Sequence, residues 1–409
     1  MSLAAPLLDR LEALRRLLAA GAPADGLAAA ARGLEAELEA LRERTEPLFF
    51  QLRDGLQAAD FLPGLRALRS FVRNFRVLNR DVYRAAAEAL LASGRPDAAL
   101  DVLAALLASL PDGAAAHGLL AREELWPAEL RGRARGLTRE RRFAALPGVA
   151  GWGLDYPFAV AVDQAAGRIY VSDHRSAAIH RFGLDDGADL GPLRGPWRGL
   201  MGLCLDDRGL LWACDYAGQA LYALDREGRV QGRVALAALL GPDEASLRPE
   251  YLCAADGLLY LLSCTPQRRE TRLWSFDPRE PAASLRRFPA PPLGAPAGVQ
   301  VCGGRILAAG GQPATILALD AASGRPLALV HPPCLDIYQI AAAPEAIYVT
   351  HLEGLLKLAP DGRPLFDVDL ARVAGGKALA QGLALVREDG GPGLLLADFA
   401  ERRLLRFGV

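Results

Sequence analysis

Past residue 150 one six-residue phrase keeps returning. It reads Arg168-Ile-Tyr-Val-Ser-Asp173, Leu210-Leu-Trp-Ala-Cys-Asp215, Leu258-Leu-Tyr-Leu-Leu-Ser263, Arg305-Ile-Leu-Ala-Ala-Gly310, Ala346-Ile-Tyr-Val-Thr-His351 and Gly393-Leu-Leu-Leu-Ala-Asp398. The last residues of these phrases lie 42, 48, 47, 41 and 47 positions apart. Apolar residues fill each phrase, with aromatic or β-branched ones in most, as in a strand buried on both faces. A repeat of about 40–50 residues with no helical period marks one supersecondary unit used many times, because a single unit cannot bury its own faces.

Each phrase has neighbours of the same kind. Before it come Ala159-Val-Ala-Val162, Gly202-Leu-Cys-Leu205, Tyr251-Leu-Cys-Ala254, Val299-Gln-Val-Cys302, Gln339-Ile-Ala-Ala342 and Leu383-Ala-Leu-Val386. After it come Ile179-His-Arg-Phe182, Leu221-Tyr-Ala-Leu224, Leu273-Trp-Ser-Phe276, Ile316-Leu-Ala-Leu319, Leu355-Leu-Lys-Leu358 and Leu404-Leu-Arg-Phe407. Turn chemistry follows at Asp185-Asp-Gly187, Asp225 to Gly228, Asp320 to Gly324 and Pro360-Asp-Gly362, where Asp and Gly supply local caps and positive φ. The architecture this predicts is a six-bladed β-propeller over residues 138–409. The chain stops after the third strand of the last blade, and an open ring would expose unpaired edges. Arg141-Arg-Phe-Ala-Ala-Leu-Pro147 resembles Arg286-Arg-Phe-Pro-Ala290, the fourth strand expected in blade three, so residues 139–147 are expected to close the ring.

The phrase Gly167-Arg-Ile-Tyr-Val-Ser-Asp-His-Arg-Ser-Ala-Ala-Ile-His-Arg-Phe182 resembles the NHL repeat, whose middle strand ends in Asp and whose next strand runs apolar-x-x-Phe. Leu394-Leu-Leu-Ala-Asp-Phe-Ala-Glu-Arg-Arg-Leu-Leu-Arg-Phe407 is similar. The likeness is close in blades one, two and six and loose in three to five. It implies six blades and a spread of functions, from protein and RNA binding to lyase and hydrolase chemistry.

Residues 1–137 read as a separate helical domain. Leu3, Leu7, Leu8, Leu11, Leu14, Leu17 and Leu18 form an i, i+3/i+4 stripe. A second helix is expected at about 25–45, a third opening at Pro47, and a longer one beginning near Asp60 and stopped by Gly94. Around residues 82–122, Ala86, Leu90, Gly94, Ala98, Leu103 and Pro111 resemble one tetratricopeptide-type hairpin, which implies a protein-binding surface.

Composition excludes several classes. The net charge of −1 leaves no global field for nucleic acid or anionic lipid. No apolar run approaches the roughly 18 residues of a membrane span, and Asp9, Arg10, Glu12, Arg15 and Arg16 interrupt any secretory h-region. The six cysteines form no C-x-x-C pair. The reading is a cytoplasmic chain with no membrane contact. Lysine occurs only at 357 and 377 and asparagine only at 74 and 79, a bias of GC-rich kind.

Three sets of residues are candidates for function. The strand-end positions Asp173, Asp215, His351 and Asp398 lie near one rim and could converge on a divalent metal, although an Asp repeated at one position also suits a local turn cap. Residues leading into the first strands face the channel: Tyr156, Arg198, Tyr251, Tyr338, Gln339 and Gln381 suit a ligand or peptide cradle. Arg66, Arg69, Arg73, Arg76, Arg80 and Arg84 share one helical face and could hold an acidic partner or nucleic acid, against a domain that is otherwise balanced, with 21 Arg and 19 acids in residues 1–149. Gluconolactonase-like propellers hold calcium with Glu, Asn and Asp, and this propeller has no Asn. Amidating-lyase-like propellers bind zinc through several His, for which His174, His180, His331 and His351 are the candidates. No G-x-S-x-G or P-loop is present. The function expected is a protein-interaction or ligand-binding scaffold, non-catalytic and with no required cofactor. The alternatives are a metal-dependent hydrolase or lyase acting at the rim, and an anion-binding Arg face.

Overall fold

The computed structural model describes residues 5–55, 78, 80–109, 114–139, 144–145 and 154–408 apart from 245, 268–269, 290–292, 312–313, 335, 353, 371–373, 375–377 and 389–390. Two compact units divide the chain, Met1–Arg142 and Phe143–Val409. The first is helical: α1 Ala5–Ala19, α2 Ala24–Gly55, a helical stretch at 80–92, α3 Pro96–Ser109, α4 Ala114–Leu120 and α5 Ala128–Arg139. Leu7, Leu11 and Leu14 of α1 pack with Leu27, Leu34, Leu38 and Leu41 of α2, the stripe that a 3.6-residue period dictates. The 80–92 stretch ends at Gly94, whose φ of +70° lets its N–H reach the Leu91 carbonyl while Arg95 N–H reaches Leu90. The break expected at Pro47 is absent, since α2 runs unbroken through it. The ring removes one N–H···O bond, a cost of about 3 kcal/mol. Burial of Leu34, Leu38 and Leu41 on the same helix offsets that cost. Among the described residues no helix is long and apolar enough to cross a membrane.

The second unit is a six-bladed β-propeller of antiparallel sheets. Blade 1 holds β2 Pro157–Asp163, β3 Arg168–Asp173 and β4 Ala178–Gly183, with bridges Ile179–Leu193 and Phe182–Asp189 along its outer edge. Blade 2 holds β5 Leu200–Leu205, β6 Leu211–Asp215, β7 Ala220–Leu224 and β8 Val230–Ala235. In blade 3 the strands are β9 Arg248–Ala255, β10 Leu258–Cys264, β11 Thr271–Phe276 and β12 Arg286–Phe288. Blade 4 comprises β13 Pro296–Cys302, β14 Arg305–Gly310, β15 Thr315–Asp320 and β16 Pro326–Val330. Blade 5 comprises β17 Gln339–Ala343, β18 Ala346–His351, β19 Gly354–Leu358 and β20 Pro364–Asp369. Blade 6 holds β21 Ala380–Glu388, β22 Gly391–Asp398 and β23 Arg403–Gly408. Its outer strand is β1 Ala144–Ala145, with Ala144 opposite Arg406 and Ala145 opposite Leu405.

The first strands pack on one another in a ring, β2 on β5, β5 on β9, β9 on β13, β13 on β17, β17 on β21 and β21 back on β2. Five of them are bulged against their second strands, at residues 157–160, 200–203, 249–251, 296–298 and 380–382. Only β17 pairs in unbroken register. A bulge adds a residue to the bulged strand and re-aims its side chains, here at the channel. Glycines permit the close approach. A Cβ on Gly202 would lie 2.7 Å from the Glu250 carbonyl oxygen and 2.9 Å from Tyr251 Cα. Gly202→Ala is therefore expected to destabilise the protein by about 1–3 kcal/mol, read as a lower denaturant midpoint with an unchanged slope; an unaltered midpoint would contradict this packing.

Candidate functional site

The six strand-end positions carry the site's logic, because each second strand there meets the loop leading into the first strand of its own blade. In blade 1, Asp173 is fully buried and accepts the backbone N–H groups of Asp155, Tyr156 and Ser176. Asp215 does the same for Arg198, Gly199 and Gly218, each at 3.0 Å. Asp398 accepts from Leu379, Ala400 and Glu401 and pairs with Arg403 Nε at 3.0 Å. Each carboxylate thus joins its own turn to the lead-in loop. Burial alone would push the Asp173 carboxyl up, but the N–H donors outweigh it and hold the group below its ordinary value of 3.8. The next residue adds a backbone bond to the same loop: His174 N–H to Tyr156, Tyr216 to Gly199, Gly311 to Ala295 and Phe399 to Leu379.

The other three blades solve the same problem differently. In blade 3, Ser263 accepts the Trp274 Nε1–H at 3.0 Å. In blade 4 the strand end is Gly310, where a Cβ would crowd the lead-in loop, 3.1 Å from Leu293 Cβ and 3.2 Å from Gly294 N. Blade 5 inverts the arrangement. His351 replaces the aspartate, and the carboxylate comes from the lead-in loop instead, with Asp336 Oδ1 accepting the Leu352 N–H at 3.1 Å. His351 is only 3% exposed and directs Nε2 to Asp367 Oδ1 at 3.2 Å.

Among the candidate cradle residues, Tyr251 is 4% exposed and reaches far across the ring. Its hydroxyl donates to the Tyr338 carbonyl of blade 5 at 3.1 Å, and its ring lies 5.3 Å from that of Phe158 in blade 1. A side chain on blade 3 that touches blades 1 and 5 crosses the channel and floors its mouth. Tyr156 is half-buried, 4.6 Å from the Phe399 ring and 5.8 Å from the His174 ring. Burial, the Asp336 charge, a hydrogen bond to that carboxylate and the Tyr156 phenol push the Tyr338 hydroxyl up to about 12. Gln339 is buried and Gln381 half-buried, whereas Arg198 is exposed on blade 2. Arg248 stacks 5.4 Å over Tyr216 and donates to its carbonyl. Asp336, Tyr216, Arg248 and Phe399 were not singled out from sequence, and His174 was named only as a candidate zinc ligand. A partial signal for Asp336 was available, because it stands in the loop leading into the one blade whose second strand ends in a histidine.

The aspartates of the strand-end set spend their oxygens on their own blades. Among the described residues no three His, Cys, Asp or Glu side chains come together in a way that could hold a metal ion. His180 stacks on Phe182 in β4, and burial lowers its pKa. Of the Arg face, Arg66, Arg69, Arg73 and Arg76 lie outside the described residues; Arg80 pairs with Asp81 at 3.2 Å and Arg84 with Glu88 at 2.9 Å.

No family model matches the chain, and no curated protein matches it in sequence. Solved structures do. One is XC5397 of Xanthomonas campestris, described as a gluconolactonase important in glucose secondary metabolic pathways. It is 13% identical with a TM-score of 0.51, over 66% of this chain and 94% of that one. Another, a candidate gluconolactonase, is 18% identical with a TM-score of 0.51, over 66% of this chain and 97% of that one. What is shared is the propeller fold.

Because the Asp173 carboxyl sits below 3.8 in the folded protein, its stabilisation is complete above that pH and is lost as pH falls through the folded value. Asp173→Ala is expected to cost about 1–3 kcal/mol near neutral pH, with the gap to the unsubstituted protein narrowing in acid. Urea melts across pH check this, and a gap that stays constant in acid would contradict it.

Proposed function

We propose that this protein is a non-catalytic binding module. Its propeller mouth, floored by Tyr251, seats a ligand, and its helical unit offers a surface to a protein partner in the cytoplasm. The observation that carries the reading is a division of labour among polar groups. Asp173, Asp215 and Asp398 are consumed by backbone N–H donors and Arg403, so none stands ready as base, nucleophile or metal ligand. The aromatic groups above Tyr251 stay half-exposed instead: Tyr156, Phe399, His174 and Tyr338. Rigid aromatic surface with a few fixed polar atoms is the composition of a recognition site. The tetratricopeptide-like hairpin at about 82–122 suits a protein partner by its resemblance alone.

The rival reading is a metal-dependent enzyme acting on a small molecule at Asp173, Asp215, His351 and Asp398, a chemistry the two gluconolactonase-type neighbours would favour. One experiment separates the two. The purified full chain is analysed for bound metal and screened by thermal shift against fractionated small-molecule extracts. A stabilising fraction whose effect weakens about tenfold in Tyr156→Ala, on protein without stoichiometric metal, supports the binding module. Stoichiometric calcium or zinc, together with turnover of the stabilising compound that is abolished in His351→Ala, replaces it with the enzyme. Binding of an acidic partner through the Arg66–Arg84 face would instead show affinity falling steeply with salt.

A further inference from the structure

We infer that the mouth between blades 5, 6 and 1 recognises an ammonium or guanidinium group, held by Asp336 and Gln339 against the faces of Tyr156 and Phe399. This rests on the mouth being a binding site and names the ligand chemistry it takes.

The charge comes first. Asp336 is 7% exposed and its carboxylate accepts the Leu352 N–H at 3.1 Å, with the Tyr338 hydroxyl close enough to feel its charge. An ionised carboxylate offers about four lone-pair sites, so most of its capacity is unused. Among the described residues no cation lies within ion-pair distance of it. The other carboxylates of the rim are satisfied in other ways: Asp155 pairs with Arg175 at 3.3 Å and Arg402 at 3.4 Å, Asp398 pairs with Arg403, and Asp173 and Asp215 each accept three backbone N–H groups. Arg175, Arg402 and Arg403 are therefore already engaged by carboxylates, while Arg248 lies over Tyr216 of blade 2. A buried carboxylate without a counter-charge is costly, and a ligand cation removes that cost.

An independent observation points the same way. Gln339 is 8% exposed, and its Oε1 has no hydrogen-bond partner. Such an acceptor wants a donor. Its direction follows from strand alternation. Ile340 packs into the cluster shared with blade 4, and Ala341 into the cluster shared with blade 6. Gln339 shares a face with Ala341, so its amide looks towards blade 6 at the mouth end of β17. Only Ile337 and Tyr338 separate it from Asp336 in sequence. An ammonium brings three donors and no acceptor, which matches a wall of one free carboxylate edge and one orphan amide oxygen. The Tyr156 and Phe399 rings, tilted at 56° to each other, add faces whose quadrupoles attract the same charge. An anion would meet Asp336 and Gln339 Oε1 as repulsion.

The test uses the full chain and four probes in calorimetric or ligand-observed NMR titrations: butylammonium chloride, Nα-acetyl-lysine methylamide, its Nε-acetylated analogue and sodium butyrate. Millimolar binding of both cationic probes, with neither control binding, is expected for a single cation contact, so titrations extend to about 50 mM. Asp336→Asn keeps an acceptor for Leu352 N–H while removing the charge. It is expected to weaken both cations about five- to tenfold with the melting temperature held, and Gln339→Leu provides a second variant should the first not fold. Tighter binding of the lysine derivative than of butylammonium assigns the group to a peptide side chain; equal binding assigns it to a free amine. Equal affinity for the acetylated analogue, no binding by either cation, or an Asp336→Asn variant of undiminished affinity overturns the inference. Butyrate binding that depends on Tyr156 also overturns it, and leaves the mouth standing as a site for another ligand class.

Discussion

A carboxylate buried at the end of a second strand, accepting N–H groups from two segments at once, is the interaction on which this propeller's rim depends. The loop leading into each blade has no regular structure of its own to satisfy its backbone, and it sits where the blades crowd the channel. Unpaired N–H groups there would cost on the order of 1–3 kcal/mol each. Asp173, Asp215 and Asp398 each accept three backbone N–H groups, one or two of them from the lead-in loop, and the N–H of the following residue pins the same loop from its other side. The lead-in loops carry Tyr156, Arg198 and Tyr338, so the geometry of the mouth is inherited from these bonds.

Blade 5 shows that the carboxylate can bridge the same two segments from the other side. His351 cannot accept several N–H groups, and β17 also lacks the bulge found in the other five blades. The acceptor moves to Asp336, on the lead-in loop. The stapling function is kept, but the charge now sits on the mouth side of the bond rather than the turn side. A structural repair in one repeat thereby places at the mouth a buried carboxylate that, unlike Asp155 on the blade 1 loop, has no ion pair among the described residues.

The period was enough to read the fold. Six strand phrases at similar spacing, each flanked by two more, leave little besides a ring of small sheets, since every strand's faces require a neighbour. The helical unit was legible from its Leu stripe, except at Pro47, where burial along α2 outweighs a local helix breaker. The site was legible only in part. Tyr156, Tyr251 and Tyr338 are recognisable as lead-in residues, but that Tyr251 reaches Tyr338 across 87 positions is a non-local contact with no trace in any local pattern. The strand-end aspartates could be read equally as metal ligands or as turn caps, because a carboxylate at a strand end suits both. Only the count of N–H groups around each one separates the two.

That Tyr251 can cross the channel at all follows from an alternation among the first strands. Gly202, Gly298 and Gly382 belong to blades 2, 4 and 6, and a Cβ on each would meet the backbone or close side chains of the next blade, at Tyr251, Ile340 and Phe158 respectively. The even blades withdraw at this level, and the odd blades press in. Two of the side chains pressed inward, Phe158 and Tyr251, are large aromatics, and they meet over the space the glycines concede. A propeller with side chains at all six positions would have a wider ring. The rings now packed together would then be held apart, and the channel would run open. The shallow mouth is therefore a consequence of backbone packing: glycine brings the blades close enough for one tyrosine to span them, and whatever binds above it meets a floor rather than a pore.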